Sequence, residues 1–95
     1  MDITLQNAIM AACRIQDTNY LQKIIEKHQP DLNFIDEKGN TPMSVSCIYD
    51  DMDTIDLLLQ HGASHELMGR YELKPRMLLS ERNFSAFDDM VSKVS

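Results

Sequence analysis

Asp36-Glu37-Lys38-Gly39-Asn40-Thr41-Pro42-Met43 decides how this chain is read, because Leu58-Leu59-Gln60-His61-Gly62-Ala63 follows it at a helix-pair distance. Together the two stretches spell D-x-x-G-x-T-P-(apolar), a helical gap, then L-L-x-x-G-A. Gly39 allows the positive φ that a tight turn often needs. Thr41 offers a side-chain oxygen to a helix start, and Pro42 at the first helical position gives up an amide that has no intrahelical partner. Met43, Ser46 and Cys47 recur at helical spacing and face a second helix, whose core side is Leu58 and Leu59. Gly62 stands where a left-handed residue ends that helix.

The flanks repeat the pattern less perfectly. A shift of 34 residues upstream carries Leu58-Leu59 to Ile24-Ile25, Ser46-Cys47 to Ala12-Cys13 and Met43 to Ile9. His28 falls where Gly62 stands later. A shift of 33 downstream carries Pro42 to Pro75 and Ser46-Cys47 to Leu79-Ser80, while Asp36 becomes Gly69, Gly39 becomes Glu72 and Thr41 becomes Lys74. The spacing predicts helices near Thr4–Ile15, Thr18–Lys27, Pro42–Tyr49, Asp53–Gln60, Pro75–Glu81 and Phe84–Val91. Asp17, and Asp51 or Asp53, are placed to cap the second helix of each pair.

This register resembles the ankyrin repeat family, whose unit of about 33 residues is a turn followed by two helices. The resemblance implies an all-α solenoid of about three repeats, near 4–35, 36–68 and 69–95, in one domain spanning 1–95. Projecting turns or short β-hairpins are expected over 31–40 and 64–73. Terminal repeats are expected to be atypical, since they present a wettable outer face. Three repeats is close to the minimum for stability, so loss of one helix should unfold most of the array.

Composition narrows the function. The 95 residues are 43% apolar and carry a net charge of −6, which speaks against binding nucleic-acid phosphates. No apolar run suggests a membrane span, and the N-terminus lacks the basic start and apolar core of a secretory leader. Cys13 and Cys47 hold equivalent repeat positions, and packed helices lie about 8–10 Å apart, too far for a disulfide. Two reduced core thiols point to a reducing compartment such as the cytoplasm.

Catalytic signatures are missing: the sequence has no phosphate-cradling loop, no nucleophile elbow and no plausible Cys/His pairing, and nothing calls for a cofactor. The rival reading is a metal- or small-ligand-binding helical protein using His61, His65 and the acidic run Asp50-Asp51-Met52-Asp53. Against it, Gly62 separates the two histidines, and the acidic run lacks the Gly and terminal Glu of a calcium loop. His61 suits the negative end of a helix, and aspartates suit the positive end.

What remains is a binding surface for another protein. In the ankyrin family, partners dock on the turn tips and on the first-helix face. The resemblance carries those positions onto Arg14 and Ile15 in the first repeat and onto Ile35, Glu37, Lys38, Asn40, Ile48 and Tyr49 in the second. In the third they fall on Met68, Arg70, Tyr71, Leu73, Glu81 and Arg82. Many are apolar or aromatic where the framework has no need of it, which marks them as candidate contacts. Such a module fits an inhibitor, an immunity-type factor or an adaptor, including one delivered into a host cell. Phe84, Phe87, Met90 and Val91 form one helical stripe that seals the end of the stack. A monomer is therefore expected, with an end-to-end dimer as the alternative.

Overall fold

The computed structural model describes residues 2–69 and 72–95. Among these residues it contains five α-helices and no strand: α1 (Ile3–Arg14), α2 (Thr18–His28), α3 (Pro42–Ile48), α4 (Met52–Gln60) and α5 (Phe84–Val94). Two short 3-10 turns, Pro75–Leu78 and Glu81–Asn83, precede α5. The helices stack in layers. α1 pairs with α2 and lies on α3, α3 pairs with α4 and lies on the first 3-10 turn, and α4 lies between α2 and α5. Among the described residues, hydrogen-bonded turns rather than hairpins join the layers, and residues 70 and 71 of the expected projection over 64–73 lie outside the described residues.

The local chemistry of the middle layer behaves as its sequence requires. Thr41 Oγ1 accepts from the Ser44 amide at 3.0 Å with Pro42 at the first helical position. Gly39 has φ +83° and Gly62 φ +90°. The amides of Gly62 and Ala63 close α4 onto the carbonyls of Leu59 and Leu58, a paired bond pattern that needs a left-handed residue between helix and loop. The same closure joins the helices within both full layers. Gln16 and Asp17 bond back to Cys13 and Ala12, and Asp50 and Asp51 bond back to Cys47 and Ser46. Gln16 and Asp50 are both left-handed, at φ +60° and +52°. Asp17 and Asp51 then cap α2 and α4 through their carboxylates. At the end of α2 the left-handed residue is Gln29, at φ +45°, rather than His28, which remains helical.

The core runs through all layers. Ile9, Cys13, Leu21, Ile24 and Ile25 meet Met43, Cys47, Ile55, Leu58 and Leu59, all buried. Ile24-Ile25 and Leu58-Leu59 thus occupy corresponding places in successive layers. Both cysteines are free, and burial raises their thiols to about 11 and about 12. Phe87 is fully buried, with Phe84, Met90 and Val91 packed beside it as the stripe requires.

The third layer departs from the expected helix Pro75–Glu81. It breaks at Leu79 and Ser80, which are extended. Lys74 supplies no side-chain cap, and the Ser80 amide and hydroxyl both go to the Asp50 carboxylate, at 2.9 and 2.7 Å. A through-space partner therefore fixes the backbone there against helix.

Candidate functional site

One edge of the stack is shaped by the turn 36–40. The Asp36 carboxylate accepts from the amides of Lys38 at 3.0 Å and Asn40 at 2.8 Å, while the Gly39 amide bonds to the Asp36 carbonyl at 3.0 Å. Arg14 reaches from α1 and donates to the same carboxylate at 3.1 Å. The turn is thus pinned from inside and from the preceding layer. On its other side Gly69 approaches so closely that a β-carbon there would stand 2.2 Å from the Gly39 carbonyl oxygen. The motif Asp36→Gly69 replacement therefore has a cause: one turn rests on the backbone of the last.

Two hollows flank this turn. The larger, about 510 Å³, lies between Asn7, Met10 and Arg14 of α1 and Ile35, Glu37 and Lys38 of the turn. The smaller, about 70 Å³, lies between Asn40, Ser44 and Ile48 on one side and Gly69, Leu73 and Leu78 on the other. Of the positions chosen from sequence, Arg14, Ile35, Glu37 and Lys38 share the first hollow, and Asn40, Ile48 and Leu73 share the second. Ile15 and Tyr49 occupy matching places at the ends of α1 and α3, both well exposed, at 67% and 47%. Ile15 lines a separate shallow depression with Asp17 and Asp53. Met68, Glu81 and Arg82 are exposed outside either hollow, and Arg70 and Tyr71 lie outside the described residues.

Sequence reasoning missed the work of three residues that hold the turn and tie the layers. Asp36 reads as motif in the sequence, yet its side chain carries the turn; an Asp two residues before a backbone amide is the available signal. Asn33 joins the first layer to the second: its side-chain amide donates to the Gly62 carbonyl at 3.1 Å and accepts from the Ser64 amide at 2.7 Å. Asp50 accepts from the Ser80 hydroxyl, the Ser80 amide and the Asn83 side chain. Those bonds, the Ser80 hydroxyl first, hold its carboxyl down at about 2.

The metal alternative finds no gathered ligand set. Asp50 is engaged as described, and Asp51 caps α4 while accepting from the Thr54 hydroxyl at 2.6 Å. His61 and His65 line different depressions. Among the described residues, no three His, Cys, Asp or Glu side chains stand where they could hold one ion.

Stacked helix pairs with turns projecting along one edge define a helical repeat protein. The ankyrin repeat family model matches residues 38–69; the chain carries an ankyrin repeat there, and its fold is of the ankyrin type. Comparison with curated proteins gives no match. Ankyrin repeats serve in general as protein–protein interaction modules and are typically non-enzymatic. Among the described residues no helix is long and apolar enough to cross a membrane.

Proposed function

We propose that this chain binds a partner protein through the edge formed by the turn 36–40 and the exposed ends of α1 and α3. The observation that carries this reading is the pair of hollows on either side of one internally pinned turn. Apolar groups there (Ile35, Ile48, Leu73) stay at least a third exposed, although the core closes without them. Hot spots favour apolar and aromatic groups set in such depressions, ringed by polar neighbours. Arg14, Glu37, Lys38 and Asn40 supply that ring, and Ile15, Tyr49, Met68, Glu81 and Arg82 extend it outward. Docking is largely rigid, since Asp36 already fixes the turn and little ordering entropy remains to be lost. By covering a partner's own surface, such a module acts as an inhibitor, an immunity-type factor or an adaptor.

The test is affinity capture from the source cell, followed by titration of the captured protein against Ile48→Ala, Tyr49→Ala and Leu73→Ala, each checked for native helicity. Loss of about tenfold or more in affinity in at least one of them supports the face. A partner indifferent to all three, yet weakened by changes on α2 or α4, removes it.

A further inference from the structure

The two seams of the stack are tied differently. Between the first and second layers the polar ties are spread along the seam. Arg14 meets Asp36 at the turn, Thr18 and Thr54 share a hydrogen bond of 2.9 Å at the helix starts, and Asn33 grips Gly62 and Ser64 beyond α4. Between the second and third layers they converge. Among the described residues, Asp50 accepts three bonds from the third layer, two from Ser80 and one from Asn83. Besides these there is a long, exposed approach of Lys74 to Glu66 at 4.0 Å. The first helix of that layer is reduced to 3-10 turns without side-chain caps. Its apolar anchorage is Phe87, Leu79 and Pro75, with Leu78, Phe84, Met90 and Val91 partly buried beside them.

We propose that residues 75–94 form a layer that opens separately from the rest, latched by the Asp50 carboxylate, and that this latch governs the binding face. The second half of the proposal rests on the face argued above. One wall of the smaller hollow is Asn40, Ser44 and Ile48 from the middle layer; the other includes Leu78 from the third. When residues 75–94 lift, that wall loses Leu78 and keeps Gly69 and Leu73. A partner that seats an apolar side chain there binds only the closed form, so its apparent affinity is scaled by the closed fraction. By linkage, the same partner holds the layer shut. Asp50 is a positioning residue in this scheme. It lies in the turn between α3 and α4 and acts on the hollow through Ser80 and Asn83.

Amide hydrogen exchange on the full chain reads this without any partner. Asp50→Gly removes the carboxylate while suiting the left-handed backbone at this position (φ +52°), so conformational strain does not confound it. Ser80→Ala removes one donor and leaves the backbone bond. In Asp50→Gly, amides of 77–93 should exchange about tenfold faster or more, with those of α1 and α2 changed by less than about twofold. Met77 and Leu79, whose amides bond within the first 3-10 turn, report the hollow's wall itself. Ser80→Ala should show the same gradient at smaller amplitude, and it decides the matter if Asp50→Gly fails to fold. Equal acceleration in every helix, or none in the third layer, overturns the latch. Failure of the binding face would leave the exchange gradient intact, and failure of the latch would leave the effects of Ile48→Ala and Leu73→Ala intact.

Discussion

Gly69→Ala separates two roles that glycine plays in this fold. A β-carbon at Gly69 would meet the Gly39 carbonyl oxygen at 2.2 Å and the carbonyl carbon at 3.3 Å. Both atoms are backbone, so no side chain can swing aside. The contact becomes tolerable only if one turn retreats by roughly 1 Å, well into the repulsive wall of the van der Waals well. Gly39 sits in the pinned turn between the Asp36 and Asn40 bonds, so that retreat strains hydrogen bonds as well. Overpacking of this kind costs about 1–3 kcal/mol. Gly62 is the control. Its β-carbon would meet nothing within 4 Å, but its φ of +90° disfavours any L side chain. Gly62→Ala therefore costs about 1–2 kcal/mol by conformation alone. Asn tolerates left-handed backbone better than Ala, so Gly62→Asn should recover part of the loss, whereas Gly69→Asn should recover nothing.

Urea unfolding followed by helical circular dichroism measures all four variants. The stability change follows from the shift in urea midpoint multiplied by the slope m. A Gly69→Ala protein within about 0.5 kcal/mol of wild type, the range of ordinary surface substitutions, refutes the close approach of the two turns. So does an Asn variant at Gly69 that outperforms Ala.

Four further outcomes follow from particular contacts. Leu58→Ala, at a fully buried site, should lose about 2–5 kcal/mol in the same unfolding assay, while Ile48→Ala and Leu73→Ala, half-exposed, should stay within about 0.5 kcal/mol. Asn33→Ala removes two bonds that tie the first layer to Gly62 and Ser64, and should cost about 1 kcal/mol, read as a lower denaturant midpoint. The Asp50 carboxyl ionises at about 2 in the fold against an ordinary 3.8. Its contribution is therefore complete above about pH 5 and is lost as pH falls through the folded value, which a carbon-13 titration of that carboxyl would show. Cys13 and Cys47 run the opposite way. Burial lifts them from 9.0 to about 11 and about 12, so stability is whole below 9 and declines as pH rises toward those values, and thiol reagents at pH 8 should react only as fast as the protein opens.

How far the sequence foretold this depends on the reach of each signal. Thr41, Pro42 and Gly62 act on their own neighbours, and the bounds of α3 and α4 follow them to within a residue. The first layer is legible for the same reason, since Asp17 caps where its equivalent Asp51 does. The last layer was less so. Ser80 reads as part of a helix until the carboxylate of Asp50 is placed beside it, thirty residues away in sequence. Gly69 reads as a decayed motif until the Gly39 carbonyl is found against it. At the candidate site, exposure of Ile15, Ile35, Ile48, Tyr49, Met68 and Leu73 was legible from register. Which of them share a hollow was not, because that depends on how turn 36–40 folds back on α1, and Arg14 gives no local sign that it will hold Asp36.

The left-handed position between paired helices shows how one backbone solution takes on different work along the stack. Gln16 and Asp50 close their helices by the same two amide bonds and share the same conformation. At the first seam that position is exposed, and the polar ties are made by Arg14, Thr18 and Asn33 instead. At the second seam Asp50 reaches forward into the next layer, whose two 3-10 turns have no side-chain cap among the described residues. The seam at which Asp50 reaches forward is also the one that borders the smaller hollow. The larger hollow is walled by a twelve-residue helix and a doubly pinned turn and is lined by no residue of 75–94, so opening of the third layer should leave it formed. A partner should therefore retain part of its affinity for a protein lacking the latch, and that retained part should vanish when Asp36→Ala releases the turn from Arg14.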